Sequence, residues 1–91
     1  MCPGQPLAAM PALVLAVDLG TTSLCWRALN MQGIALAEGR ALNPQAGAGA
    51  DVVSRLALAS KPEGRELLAH LVRHELQRIV DFLAQCGLGR V

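Results

Sequence analysis

The chain has 91 residues, a formal net charge of +1 and 53% hydrophobic residues, enough for one small domain that buries about 60–65% of its unfolded surface. So neutral a balance gives no electrostatic footprint for nucleic acid or an anionic membrane surface, and an aromatic content of 2% removes the stacking platforms a single-strand binder needs. Three cysteines, Cys2, Cys25 and Cys86, stand far apart with no Cys-x-x-Cys pair, which argues against a disulfide framework; Cys25 and Cys86 read as small core residues.

Residues 1–12 are expected to form a disordered N-terminal tail. Met1–Pro11 lacks the basic stretch of a signal peptide, and Pro3, Pro6 and Pro11 break its apolar run. Ala12–Val17 ends at the charge of Asp18, far short of a membrane span, so the cytoplasm is the default location. Leu13–Val17 reads as a first strand and runs into Asp18-Leu19-Gly20-Thr21-Thr22. In that turn a glycine lets backbone N–H groups approach an anion closely, and Thr21 and Thr22 add hydroxyl donors. Asp18, at the strand end, is placed to orient waters around a magnesium ion, which keeps several waters and binds through few carboxylates. Taken alone, the five residues also suit an ordinary hairpin turn.

Leu24–Asn30 reads as a second strand anchored by Trp26. Asn30-Met31-Gln32-Gly33 is a turn, and Ile34–Glu38 is a third strand with Ile34 and Leu36 on one face. The turn at Gly20 therefore lies between the first two strands of an antiparallel meander, whereas a Rossmann or Walker loop runs from strand into helix. Gly39–Ala50, rich in Ala and Gly, is expected to be a loop over the sheet edge. Asp51 caps a short helix that runs through Leu58, on which Arg55 reads as solvated, the alternative being a contact to phosphate or another subdomain.

Ser60-Lys61-Pro62-Glu63 fits a capping box that opens a long helix. Gly87 stops that helix, and Leu88 folds back on its last turn. Leu68, Leu71, Val72, Leu76, Ile79, Val80 and Leu83 form its apolar stripe, with Phe82 at one edge. His70 and His74, four apart, fall opposite the stripe beside Gln77 and Asp81. With no third ligand nearby, they read as solvated rather than as a metal clip. Glu75 lies near the stripe, within reach of Arg78; such a pair contributes about 0.2–0.5 kcal/mol.

An apolar strand that ends in Asp18-Leu19-Gly20-Thr21-Thr22 resembles the first phosphate loop of actin-like and sugar-kinase-like ATPases. Two further blocks, Ala41-Leu42-Asn43-Pro44-Gln45 and Gly49-Ala50-Asp51-Val52-Val53-Ser54-Arg55-Leu56, make residues 14–87 similar to the ATPase region of reductive activators of corrinoid proteins. Sugar kinases share the Asp-x-Gly-Thr-Thr pattern and lack both blocks. The resemblance implies an α/β fold: a partial ribonuclease-H-like, actin-like subdomain in which a three-stranded antiparallel meander precedes a short and a long helix. It also implies ATP with magnesium as cofactor and a corrinoid protein as partner. Asp18, Gly20, Thr21 and Thr22 are then the nucleotide contacts, with Asp18 reaching magnesium through water.

Two limits follow from the same residues. An iron–sulfur centre held by four cysteines cannot be built from three, so the electron-carrying centre of an activator is not expected in this chain. Residues 13–91 are expected to be a truncated first subdomain, because in the actin-like pattern a further strand follows the long helix and pairs parallel with the first. The unpaired flank of that first strand then invites a second copy or a second lobe. Phosphoryl chemistry needs preorganised donors on both walls of a cleft, so no catalytic residue is assigned and activity of the chain alone is not expected. The alternatives are a sugar-kinase-like ATPase fragment and a non-enzymatic interaction module that uses the open strand edge.

Overall fold

The computed structural model describes residues 9–49 and 51–91. Three strands, β1 (Val14–Leu19), β2 (Ser23–Leu29) and β3 (Ala35–Leu42), are followed by a 3₁₀ turn (Pro44–Gly47) and two helices, α1 (Val52–Ala59) and α2 (Pro62–Gln85). The strands form an antiparallel meander in the order β1-β2-β3, with Asp18 opposite Cys25 and Trp26 opposite Gly39. The turn that joins β2 to β3 is held by Asn30, whose Oδ1 accepts from the N–H groups of Gln32 and Ile34.

Alternation along the strands sends one set of side chains toward α2. Leu13, Leu24 and Ala28 meet Ile79 and Leu83 there, with Leu15, Trp26, Ala37 and Leu88 packed around them. Leu24 and Leu83 are fully buried. The helical stripe expected on α2 is thus the core-facing one. Phe82 at its edge meets Trp26 edge-on, with ring centroids 6.3 Å apart. His70 and His74 are both exposed. Glu75 is the less exposed partner of Arg78, which donates to it at 2.7 Å, and this bond raises the pKa of the guanidinium.

Several expectations need correction. β3 does not end at Glu38 but runs to Leu42, so the expected loop Gly39–Ala50 begins as strand and contains a 3₁₀ turn, with Ala50 outside the described residues. The inward positions of β3, Ala37, Gly39 and Ala41, are all small, and at Gly39 the reason is the Trp26 indole: a Cβ there would lie 2.5 Å from Trp26 Nε1. Ile34 and Leu36 are both exposed, and it is Ala37, alternating with Leu36, that packs against the core. Ser60 opens no capping box. It terminates α1, its Oγ donating to the Ala57 carbonyl, while Lys61 precedes α2 without a side-chain cap. With only two residues between the helices, Ser60 cannot close one and open the other. Cys86 is exposed and Cys25 half-buried; Cys25 shares its sheet face with Asp18 and Arg40, away from α2.

The end of α2 behaves as the sequence indicates. Gly87 N–H donates to the Ala84 carbonyl and Leu88 N–H to the Leu83 carbonyl, a pairing that returns Leu88 to the core. The chain then reaches the outer edge of β1, where Ala12 and Arg90 form a parallel bridge. Leu13 N–H donates to the Arg90 carbonyl and Arg90 N–H to the Pro11 carbonyl. Met10 is buried and Ala12 half-buried, and Pro11 and Ala12 take part in this bridge. Residues 1–8 of the expected tail lie outside the described residues.

Gly39→Ala tests the packing account of β3. Relief of the glycine's backbone entropy favours alanine by about 0.5–1 kcal/mol, but overpacking against a fixed indole costs about 1–3 kcal/mol. Urea denaturation is expected to show net destabilisation, and a stabilised variant would contradict the packing described.

Candidate phosphate-binding turn

β1 carries Asp18 and Leu19 to the end of the sheet, and Gly20, Thr21 and Thr22 cross to β2 as an exposed hairpin turn. Gly20 N–H donates to the Ser23 carbonyl at 2.9 Å. The glycine is not needed for a left-handed backbone, because among the described residues positive φ is confined to Gly33, Gly87 and Gly89. What it offers is closeness: a Cβ there would sit 3.3 Å from the Ser23 carbonyl oxygen, a tight contact.

The turn is held from behind by two side chains that belong to the Asn-Pro-Gln and Gly-Ala-Asp-Val-Val-Ser-Arg blocks. Asn43 is 3% exposed and Arg55 8%. Asn43 Nδ2 donates to the Gly20 carbonyl at 2.6 Å, and Asn43 N–H donates to the Thr22 carbonyl at 2.9 Å. Its Oδ1 accepts from Gln45 N–H at 2.8 Å, opening the 3₁₀ turn. Arg55 Nη1 donates to the Thr21 carbonyl and Arg55 Nε to the Gly49 carbonyl, each at 2.6 Å. Arg55 is therefore not a solvated arginine. Its guanidinium sits between helix and turn because the planar fork can serve two carbonyls at once.

α1 is placed for this by Asp51, whose Oδ1 accepts from Ser54 N–H at 2.7 Å, while the Arg55 N–H bonds to the Asp51 carbonyl. The Ser54 N–H bond holds the Asp51 carboxyl below its ordinary pKa.

The four expected contact residues do not share one face. Asp18 lines an open groove of about 630 Å³ on the sheet face away from α2, with Cys25, Arg27, Glu38 and Arg40. Gly20 and Thr21 line a second groove of about 330 Å³ on the helical side, with Asn43, Val52 and Arg55. Thr22 lines neither groove. Arg40 donates to Ser23 Oγ at 3.2 Å, which sets a cation near the turn on the face of Asp18. Among the described residues no group of three or more His, Cys, Asp or Glu side chains is gathered to hold a metal ion. Among the same residues no helix is long and apolar enough to cross a membrane.

Comparison with known proteins follows the same blocks. A family model described as the RACo middle region matches residues 13–87. The chain belongs to that family. A solved structure described as a reductive activator for corrinoid, iron–sulfur protein superposes with a TM-score of 0.73 at 28% identity. The match covers 88% of this chain and 13% of that one, so the chain spans a small part of the protein it resembles. No curated relative matches the chain. Strands first and helices after, in this order, are consistent with a partial actin-like ATPase-related domain. Asn43 and Arg55 lie inside the matched region, and their burial behind the turn is what the sequence reading missed. Asn43 carried a signal, since Asn before Pro44 is an N-cap pattern; Arg55 carried none.

Asp51 gives a pH test of the α1 anchor. Its pKa is lowered in the folded chain, so its contribution to stability is complete at neutral pH and is lost as pH falls through the lowered value. Urea midpoints measured between about pH 5 and pH 2 are expected to fall more steeply for the parent chain than for Asp51→Ala. Parallel profiles would remove the cap from the account.

Proposed function

We propose that this chain supplies the first phosphate-binding wall of an ATP-dependent reductive activator of corrinoid proteins. The observation that carries the proposal is the Gly20–Thr22 turn, whose three carbonyls are all engaged from behind by Asn43 and Arg55. A turn anchored in this way keeps its outer side for a ligand. Thr21 and Thr22 offer N–H and hydroxyl donors to phosphate oxygens, and Asp18 takes magnesium through water on the neighbouring face.

The donor set suits this group. Among the described residues, neither the Thr21 nor the Thr22 N–H donates to a protein acceptor, both residues are exposed, and the Asp18 carboxylate is exposed at the strand end. ATP brings the phosphoryl group whose transfer or hydrolysis drives an unfavourable electron transfer. This chain's residues bind and orient its phosphates. Exclusion of water and the opposing donors fall to a second lobe, and the iron–sulfur centre to a separate segment. In this reading the corrinoid protein is the partner of the whole activator, and a soluble cytoplasmic location goes with it.

A second reading rests on β1. Val14, Val17 and Leu19 are exposed on an edge strand, and such edges pair with other chains. An interaction module would give a defined complex by light scattering, unaffected by nucleotide.

Calorimetry with magnesium-ATP on the chain, sized first by light scattering, decides between them. One saturable site is expected, weakened at least about tenfold by Asp18→Ala, as befits loss of a charged hydrogen-bonding group. Equal affinity in that variant would end the assignment of Asp18, and no binding by folded protein would end the nucleotide reading for this chain.

A further inference from the structure

We infer that Asn43 and Arg55 are positioning residues that turn the Thr21 and Thr22 N–H groups outward, toward an anionic ligand; as a statement about a ligand, this rests on the phosphate-binding reading above. The argument is geometric. A trans peptide is planar, with the C=O of one residue and the N–H of the next pointing in opposite directions, and the described residues include no cis bond. Asn43 Nδ2 draws the Gly20 carbonyl inward, which points the Thr21 N–H outward. Arg55 Nη1 draws the Thr21 carbonyl inward, which points the Thr22 N–H outward.

Two successive N–H groups on one side of a turn form a concave donor set for an anion. Each is fixed by a different buried side chain. That independence separates positioning from general support of the fold, because within the turn each side chain acts on one peptide.

Neither tie is incidental to another role. Asn43 divides its amide, with Oδ1 capping the 3₁₀ turn and Nδ2 reaching the hairpin 23 positions earlier. Arg55 likewise divides its fork between Gly49 and Thr21. A lysine at 55 keeps the charge but cannot make both bonds from one fixed position. An aspartate at 43 keeps the acceptor for Gln45 N–H and faces the Gly20 carbonyl with an oxygen instead of a donor.

The test uses the nitrogen-labelled chain and reads N–H orientation directly from residual dipolar couplings. Asn43→Asp is expected to change the Thr21 coupling most and Arg55→Lys the Thr22 coupling most, with the couplings of β1 and β2 unchanged. Both variants are expected to weaken magnesium-ATP binding at least about fivefold, well within the cost of losing aligned donors to a charged ligand. Unchanged Thr21 and Thr22 couplings in folded variants would overturn the inference. So would changes spread evenly over the hairpin, which mark a merely structural role. If Asn43→Asp does not fold, Arg55→Lys decides alone, since it addresses a different peptide and keeps the buried charge. Site-specific coupling changes in a chain whose parent form binds no magnesium-ATP would support the positioning and refute only the nucleotide reading.

Discussion

The guanidinium of Arg55 joins the two halves of the molecule. Its backbone N–H closes the first turn of α1 on Asp51, while its side chain spans the Gly49 and Thr21 carbonyls. A charge this deeply buried is costly unless its donors are used. Hydrogen bonds to a charged group return about 1.5–3 kcal/mol each, and the fork delivers them in fixed directions. The hairpin turn thereby takes its position from a helix more than thirty residues away in sequence. Asn43 fixes the same turn from the end of β3, so neither sheet nor helix can shift without moving it.

Much of this was legible in the sequence, and the failures share a cause. Strand alternation, the turn at Asn30 and the stop at Gly87 are local, and the residues that create them lie within a few positions of one another. Asp51 was legible as a cap for the same reason. β3 was read short because Ala37, Gly39 and Ala41 lack the bulk that marks a strand. The glycine at 39 answers to Trp26, which stands opposite it on β2. Ser60 fits a capping box locally, but α1 ends at the same residue and takes its hydroxyl. Arg55 is the extreme case. Nothing within five residues tells a buried arginine from a solvated one, since its partner carbonyl on Thr21 is 34 positions away.

The candidate contacts are neighbours in the chain but not all neighbours in space. Asp18 and Gly20 are two residues apart, yet their grooves open on opposite faces of the sheet. This follows from the strand itself. Asp18 is still in β1 and obeys its alternation, whereas Gly20 has left the strand and answers to Asn43. A ligand that touches both must lie across the end of the sheet, with the turn beneath it. The cross-strand row Asp18, Cys25 and Arg40 continues that end surface, and the Arg40 bond to Ser23 places a cation close to the turn.

Orientation and desolvation are separable contributions at a phosphate site, and the arrangement proposed for this chain would supply only the first. In that proposal, carbonyls tied to buried side chains set the direction of the N–H donors before a ligand arrives, which lessens the reorganisation needed on binding. The turn nevertheless remains exposed, and donors in water gain little over the water they displace. An anion here would be well aimed at but weakly held until a second surface removed the solvent. The division of labour is physical: a buried guanidinium and amide can set geometry from within a small domain, whereas a dry cleft needs two walls.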